Sequence, residues 1–134
     1  MDNKYNRHNR RKYSLKVHIV LVTKYRNQLP GSNIADDVKQ KIFDICKSHN
    51  WEIIAMETDK DHIHFLVSYD TTDKICDIVK TIKQETTHCL WVKYNSFLSK
   101  QYWKKHIFWS DGYFACSIGE VSSSTIQKYI ESQG

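Results

Sequence analysis

A chain of 134 residues and 15.9 kDa suits one domain. With 40% hydrophobic and 26% charged residues, its composition excludes a disordered or membrane-embedded protein. Twenty Lys and Arg against 15 Asp and Glu give a formal charge of +5 and a pI near 9.0, a balance that suits a polyanionic partner.

In chain order, residues 1–12 (MDNKYNRHNRRK) form a basic arm without the apolar stretch of a secretion signal. No apolar run approaches the roughly 18 residues of a membrane span, so the expected location is the cytoplasm, on DNA if the partner is a nucleic acid. The first strand is expected over residues 13–24. Tyr13, Leu15, Val17, Ile19 and Leu21 share one face at period two. Val20 and Val22 on the other face mark a central strand covered on both sides. Pro30-Gly31 turns the chain. Ile34, Val38, Ile42, Ile45 and Cys46 then follow helical spacing to about residue 48.

Residues 51–58 and 61–69 read as two strands of a hairpin closed by the TDKD turn. Ile75, Ile78, Val79, Ile82, Leu90, Trp91 and Tyr94 mark a long second helix. Residues 96–111 are rich in Lys and aromatics but show no clean period. A fourth strand is expected over residues 112–119. A last helix, capped by Ser122 and carrying Ile126, Tyr129 and Ile130, is expected over residues 122–133. This order predicts an α+β domain over residues 1–134 with an antiparallel sheet, most economically the split β-α-β-β-α-β (ferredoxin-like) arrangement. Cys46, Cys76, Cys89 and Cys116 show no CxxC spacing and fall on apolar stretches, so buried free thiols are expected rather than a zinc finger or a disulfide scaffold.

The chemistry-bearing residues lie on the third strand and the last helix. Alternation sends His62 and His64 to one face and Ile63, Phe65 and Val67 to the other. Same-face residues on a strand lie about 6.5–7 Å apart, near enough for two imidazoles to converge on one cation. A polar sheet face decorated by two histidines is the other reading. Two histidines are also an incomplete ligand set. Tyr129 and Gln133, four apart, share a helix face, and the Gln amide oxygen suits a hard divalent ion. An amphipathic packing tyrosine and a solvated glutamine would read the same way. His8, His18, His49, His88 and His106 show no ligand spacing and read as surface or core residues.

Several segments together carry a resemblance. They are VTKYR at residues 22–26, TDKDHIHFL at 58–66, FWSDGYF at 108–114, SIG at 117–119 and IQKYIESQ at 126–133. The chain resembles the small single-domain tyrosine transposases of the IS200/IS605 insertion-sequence group, within the HUH nuclease superfamily, over nearly its full length from about residue 13. The resemblance implies His62, His64 and Gln133 as ligands of a divalent metal and Tyr129 as the nucleophile. Rolling-circle initiators share the histidine pair but typically carry Lys where Gln133 stands, which favours the transposase branch. Also implied are cleavage and rejoining of single-stranded DNA at element ends flanked by hairpins. A homodimer is implied too, in which the tyrosine helix of one subunit serves the histidines of the other.

Two imidazoles and an amide oxygen suit Mg²⁺ or Mn²⁺ better than a structural Zn²⁺. Asp61 or Glu57 is placed to orient a histidine through its second nitrogen; a turn residue and an exposed strand carboxylate are the alternative. Arg10, Arg11, Lys24 and Arg26 are candidate phosphate contacts. Lys104 and Lys105, interleaved with Tyr102, Trp103 and Trp109, form a second candidate strip; a scattered charged surface is the plainer reading. A non-enzymatic ferredoxin-like nucleic-acid-binding module, or a transposase that has lost its activity, is the competing functional class.

Overall fold

The computed structural model describes residues 15–26, 31–103, 105–117 and 130–132. The basic arm, the expected start of the first strand at residues 13–14 and most of the last helix lie outside them. Four strands are described: β1 (Leu15–Val22), β2 (Glu52–Asp59), β3 (His62–Tyr69) and β4 (Phe114–Ser117). They form one antiparallel sheet in the order β2-β3-β1-β4. With helix α1 (Gly31–Ser48) after β1 and α2 (Ile75–Lys93) after β3, this is the expected ferredoxin-like arrangement.

The position of β1 follows from its side chains. Val17, Ile19 and Leu21 bury against the helices, while Val20 and Val22 bury on the opposite face. A strand apolar on both sides is stable only inside a sheet covered on both sides. β3 contributes Ile63, Phe65 and Val67 to the helix-side core, which puts His62 and His64 on the other face.

α1 buries Ile34, Val38, Ile42, Ile45 and Cys46 along one stripe. It ends in a left-handed cap in which Asn50 (φ 63°) donates its N–H to Lys47 O at 3.2 Å and Trp51 to Cys46 O at 2.8 Å. Asn tolerates that conformation, and the two bonds satisfy carbonyls the helix end would otherwise orphan. α2 buries Ile78, Val79, Ile82, Thr86, Leu90 and Trp91. The cysteine expectation is corrected by this stripe. Only Cys46 is buried; Cys76 is exposed, and Cys89 and Cys116 are half-buried, Cys76 and Cys89 because they fall off the buried face of α2. All four are free thiols, and burial pushes that of Cys46 up to about 12.

Residues 96–111 lack a period because they combine two structures. A short helix, α3 (Asn95–Tyr102), is followed by an extended strap. Phe108 and Trp109, adjacent in sequence, both bury, so neither helical nor strand alternation survives. The strap is tied to the end of β1: Lys24 N–H donates to Phe108 O at 2.8 Å and Ser110 N–H to Val22 O at 2.7 Å. This tie also ends β1 at Val22, earlier than its apolar pattern suggests. Thr23 forms an isolated bridge with Trp109, and a 3₁₀ turn (Lys24–Arg26) follows. β4 is shorter than expected on its N-terminal side, starting at Phe114 where pairing with Val20 begins. Among the described residues no helix is long and apolar enough to cross a membrane.

Candidate active site

The site is built on the face of the sheet away from α1 and α2. Register sets its floor: Val20 pairs with His64 and Val22 with His62 across β1 and β3. The two imidazole rings lie with centroids 6.2 Å apart and planes 26° from parallel. His62 is nearly buried and His64 half-exposed.

Each histidine has a carboxylate at one ring nitrogen. His62 Nδ1 is 3.2 Å from Asp61 Oδ1, and His64 Nε2 is 3.5 Å from Glu57 Oε1. Asp61 is largely buried beside its histidine, whereas Glu57 is well exposed. A ring N–H held toward a carboxylate leaves the lone pair on the other nitrogen, here Nε2 of His62 and Nδ1 of His64. Burial is the main influence on His64 and lowers its pKa, opposed by the Glu57 charge and reinforced by His62 and His18. The neutral ring so favoured is the form able to ligate.

A divalent cation takes imidazole nitrogens at about 2.0–2.1 Å, and two rings this close on one face can supply two of them. The residues present therefore fit such a group in part. Among the described residues no three of His, Cys, Asp and Glu are gathered to complete it. Gln133, the implied third ligand, lies outside the described residues, as does Tyr129.

The turn that carries Asp61 is pinned from β1. Thr23 donates both its N–H (2.9 Å) and its Oγ1 hydroxyl (3.2 Å) to Asp61 O. Thr23 is itself buried, so the VTK segment fixes the approach to His62 from within the fold. On the opposite side of the strap, the Lys83 ammonium donates to three backbone carbonyls: Ser110 at 2.8 Å, Gly112 at 3.0 Å and Asp111 at 3.1 Å. Three donors meet three acceptors, and burial lowers the Lys83 pKa. Thr23 belongs to the VTKYR segment and Lys83 to none of those singled out in the sequence, and only tertiary contact reveals the partners of either.

The described part of the last helix reaches this same face. Residues 130–132 are helical, and Ile130, 4% exposed, packs against Val20 and Val22 with Phe114 beside them. Those two valines are the residues paired with His64 and His62. His18 belongs to this face as well, two residues before Val20, with its Nδ1 buried and lacking a hydrogen-bond partner. Its period-two spacing to Val20 and Val22 was the signal in the sequence.

Of the candidate DNA contacts, Lys24 pairs with Asp111 (Nζ to Oδ1, 3.3 Å), and Lys105 is exposed. Arg10, Arg11 and Lys104 lie outside the described residues, as does the Arg26 side chain. The aromatic strip is corrected: Tyr102 and Trp109 are core residues, and only Trp103 of the three reaches solvent. Both buried rings donate inward, Tyr102 to the carbonyls of Lys24 and Phe108 and Trp109 to Thr86 Oγ1.

Residues 11–133 match the family described as "Transposase IS200 like". The ISDra2 transposase TnpA of Deinococcus radiodurans is 34% identical over 121 residues, covering 90% of this chain and 85% of the relative. A crystal structure of a transposase candidate from Deinococcus radiodurans R1 superposes with a TM-score of 0.82 at 29% identity, over 90% of this chain and 92% of that one. A REP-associated tyrosine transposase, solved bound to a REP hairpin, shares the fold with a TM-score of 0.56 at 15% identity, over 98% of this chain and 69% of that one.

Proposed function

The chain belongs to the IS200-like transposase family, and from that membership we propose that it cleaves and rejoins single-stranded DNA at the ends of an insertion sequence, with Tyr129 as the nucleophile. The observation that carries this reading is the docking of Ile130 on Val20 and Val22, the strand partners of His64 and His62. Ile130, the residue that follows the proposed nucleophile in the chain, seats the described helical turn, residues 130–132, on the histidine face.

In the proposed reaction Tyr129 Oη attacks the scissile phosphorus, the P–O3′ bond breaks, and the phenolic proton passes through solvent to the departing O3′. One DNA piece is left with a free 3′-hydroxyl and the other with a 5′-phosphotyrosine link. The number of phosphodiester bonds is conserved. An incoming 3′-hydroxyl therefore reverses the step, breaking P–Oη and rejoining DNA without ATP. A tyrosine hydroxyl with a pKa of about 10 is a weak nucleophile at neutral pH and needs assistance at the phosphate. His62, His64 and Gln133 would hold a divalent ion, Mg²⁺ or Mn²⁺, which when bound supplies Lewis-acid withdrawal of charge from a phosphate oxygen. Asp61 and Glu57 hold the two imidazoles in the ligating orientation.

The hairpin seen with the REP-associated relative supports hairpins at the element ends as recognition features here. A homodimer is proposed as well. The test is a denaturing gel of the protein with labelled single-stranded DNA from its own flanks, with Mn²⁺ or with EDTA. A covalent band that needs the metal and is absent in Tyr129→Phe is expected, with DNA binding retained. Undiminished adduct in Tyr129→Phe would remove Tyr129 from the role.

A further inference from the structure

Two aromatic side chains, Tyr25 just beyond the His62 end of β1 and Trp103 at the C-terminal cap of α3, are left in water by a backbone that strains to hold them. Tyr25 is 63% exposed and Trp103 is 81% exposed, the most exposed large hydrophobic side chain described. Both residues have left-handed backbones: Tyr25 with φ 60° and ψ 18°, Trp103 with φ 53° and ψ 39°. Among the described non-glycine residues only Asn50 shares a positive φ, and asparagine tolerates it. A bulky aromatic does not adopt this conformation freely, and such outliers concentrate at functional positions.

The two residues are tied to one anchor. The Tyr25 ring lies 6.3 Å from that of the buried Tyr102, and Trp103 is the next residue after Tyr102, capping α3. Tyr25 is also three residues beyond Val22, the strand partner of His62. The surroundings are basic. Lys24 Nζ stands 5.7 Å from the Tyr25 ring centroid while pairing with Asp111, and Lys100 and Lys105 are exposed around Trp103. The Lys105 N–H donates to Tyr102 O at 2.9 Å, which holds that lysine close to the tryptophan.

Flat, solvated rings beside cations are how proteins grip unpaired bases without reading their sequence. We propose that Tyr25 and Trp103 form a stacking platform for unpaired bases of the DNA strand entering the histidine site. This rests on the single-strand reading above and adds to it the surface that receives the bases. The continuity of Tyr25 with the His62 end of β1 and the local positive charge favour a single strand over a protein partner.

The backbone conformation supplies a clean test. Glycine adopts a left-handed backbone freely, so Tyr25→Gly and Trp103→Gly delete the rings while relieving strain, and both variants should melt no lower than the parent. Each should bind a single-stranded deoxythymidylate oligomer about 5- to 150-fold more weakly, with blunt duplex affinity little changed. Fluorescence gives a second readout, because Trp51, Trp91 and Trp109 are buried and Trp103 alone is exposed. The oligomer should quench parent emission, and that quenching should vanish in Trp103→Gly. Glycine variants that bind the oligomer within twofold of the parent would overturn the platform, as would an equal loss of duplex affinity. Ring-dependent quenching without any Tyr129 adduct would sustain the platform and count against the transferase reading alone.

Discussion

At the scale of single residues, the histidine pair owes its geometry to two different kinds of information. That His62 and His64 share a face is local, since residues two apart on a strand always do. The Asp61 contact with the neighbouring His62 is local too, whereas Glu57 sits opposite His64 only because β2 and β3 pair in that register. The carboxylates set tautomer and orientation, so neutralising them should weaken metal binding without removing a ligand. Mn²⁺ affinity measured by calorimetric titration should fall by about 10- to 100-fold in Asp61→Asn. The fall in Glu57→Gln should sit at or below the low end of that range, because water screens the exposed Glu57 far more than the sheltered Asp61. Equal affinity in parent and Asp61→Asn would show that the contact does not orient His62 toward a metal.

At the scale of elements, α1 and α2 are joined at the surface by Asp37. Its carboxylate accepts a short hydrogen bond from Tyr94 and pairs with Lys93 Nζ at 2.9 Å. The Tyr94 hydroxyl, then the lysine, hold the Asp37 pKa below the usual carboxylate value. A carboxylate whose pKa is lower folded than unfolded stabilises the fold above its unfolded pKa, about 3.9, and loses that contribution as pH falls through the depressed value. Asp37→Asn should therefore melt slightly lower than the parent at pH 7, by less than about 1 kcal/mol given the exposure of the pair. The gap should close on acidification below about pH 4. A gap that persists unchanged in acid would assign the loss to something other than the carboxylate charge. The helices themselves were legible from their apolar stripes. The strap after α3 was not, since its residues are chosen by what Thr23, Thr86 and Lys83 offer rather than by any repeat.

At the scale of the whole molecule, the sheet divides the labour. One face packs on α1 and α2 through Val17, Ile19, Leu21, Ile63, Phe65 and Val67; the other carries the histidines and receives Ile130. Stability and chemistry thus occupy opposite sides of the same two central strands. Leu21, fully buried on the helix side, should cost about 2–5 kcal/mol when cut to alanine, by lost burial and the cavity left behind. Val92, exposed on α2, should cost less than about 0.5 kcal/mol under the same change. Chemical denaturation of the two variants checks both, and similar losses would contradict the one-sided core.

The sequence by itself determined the order of the four strands and of α1 and α2, the ferredoxin-like arrangement and the face shared by His62 and His64. These follow from periodicities of two and of 3.6, which any stretch of chain expresses without its distant neighbours. Tertiary structure alone decided that Glu57 meets His64, that the Ile130 turn lands on Val20 and Val22, and that Tyr102 and Trp109 turn inward while Tyr25 and Trp103 face water. Such choices depend on strand register and on competition among apolar side chains for one buried volume, and both are settled between residues far apart in the chain.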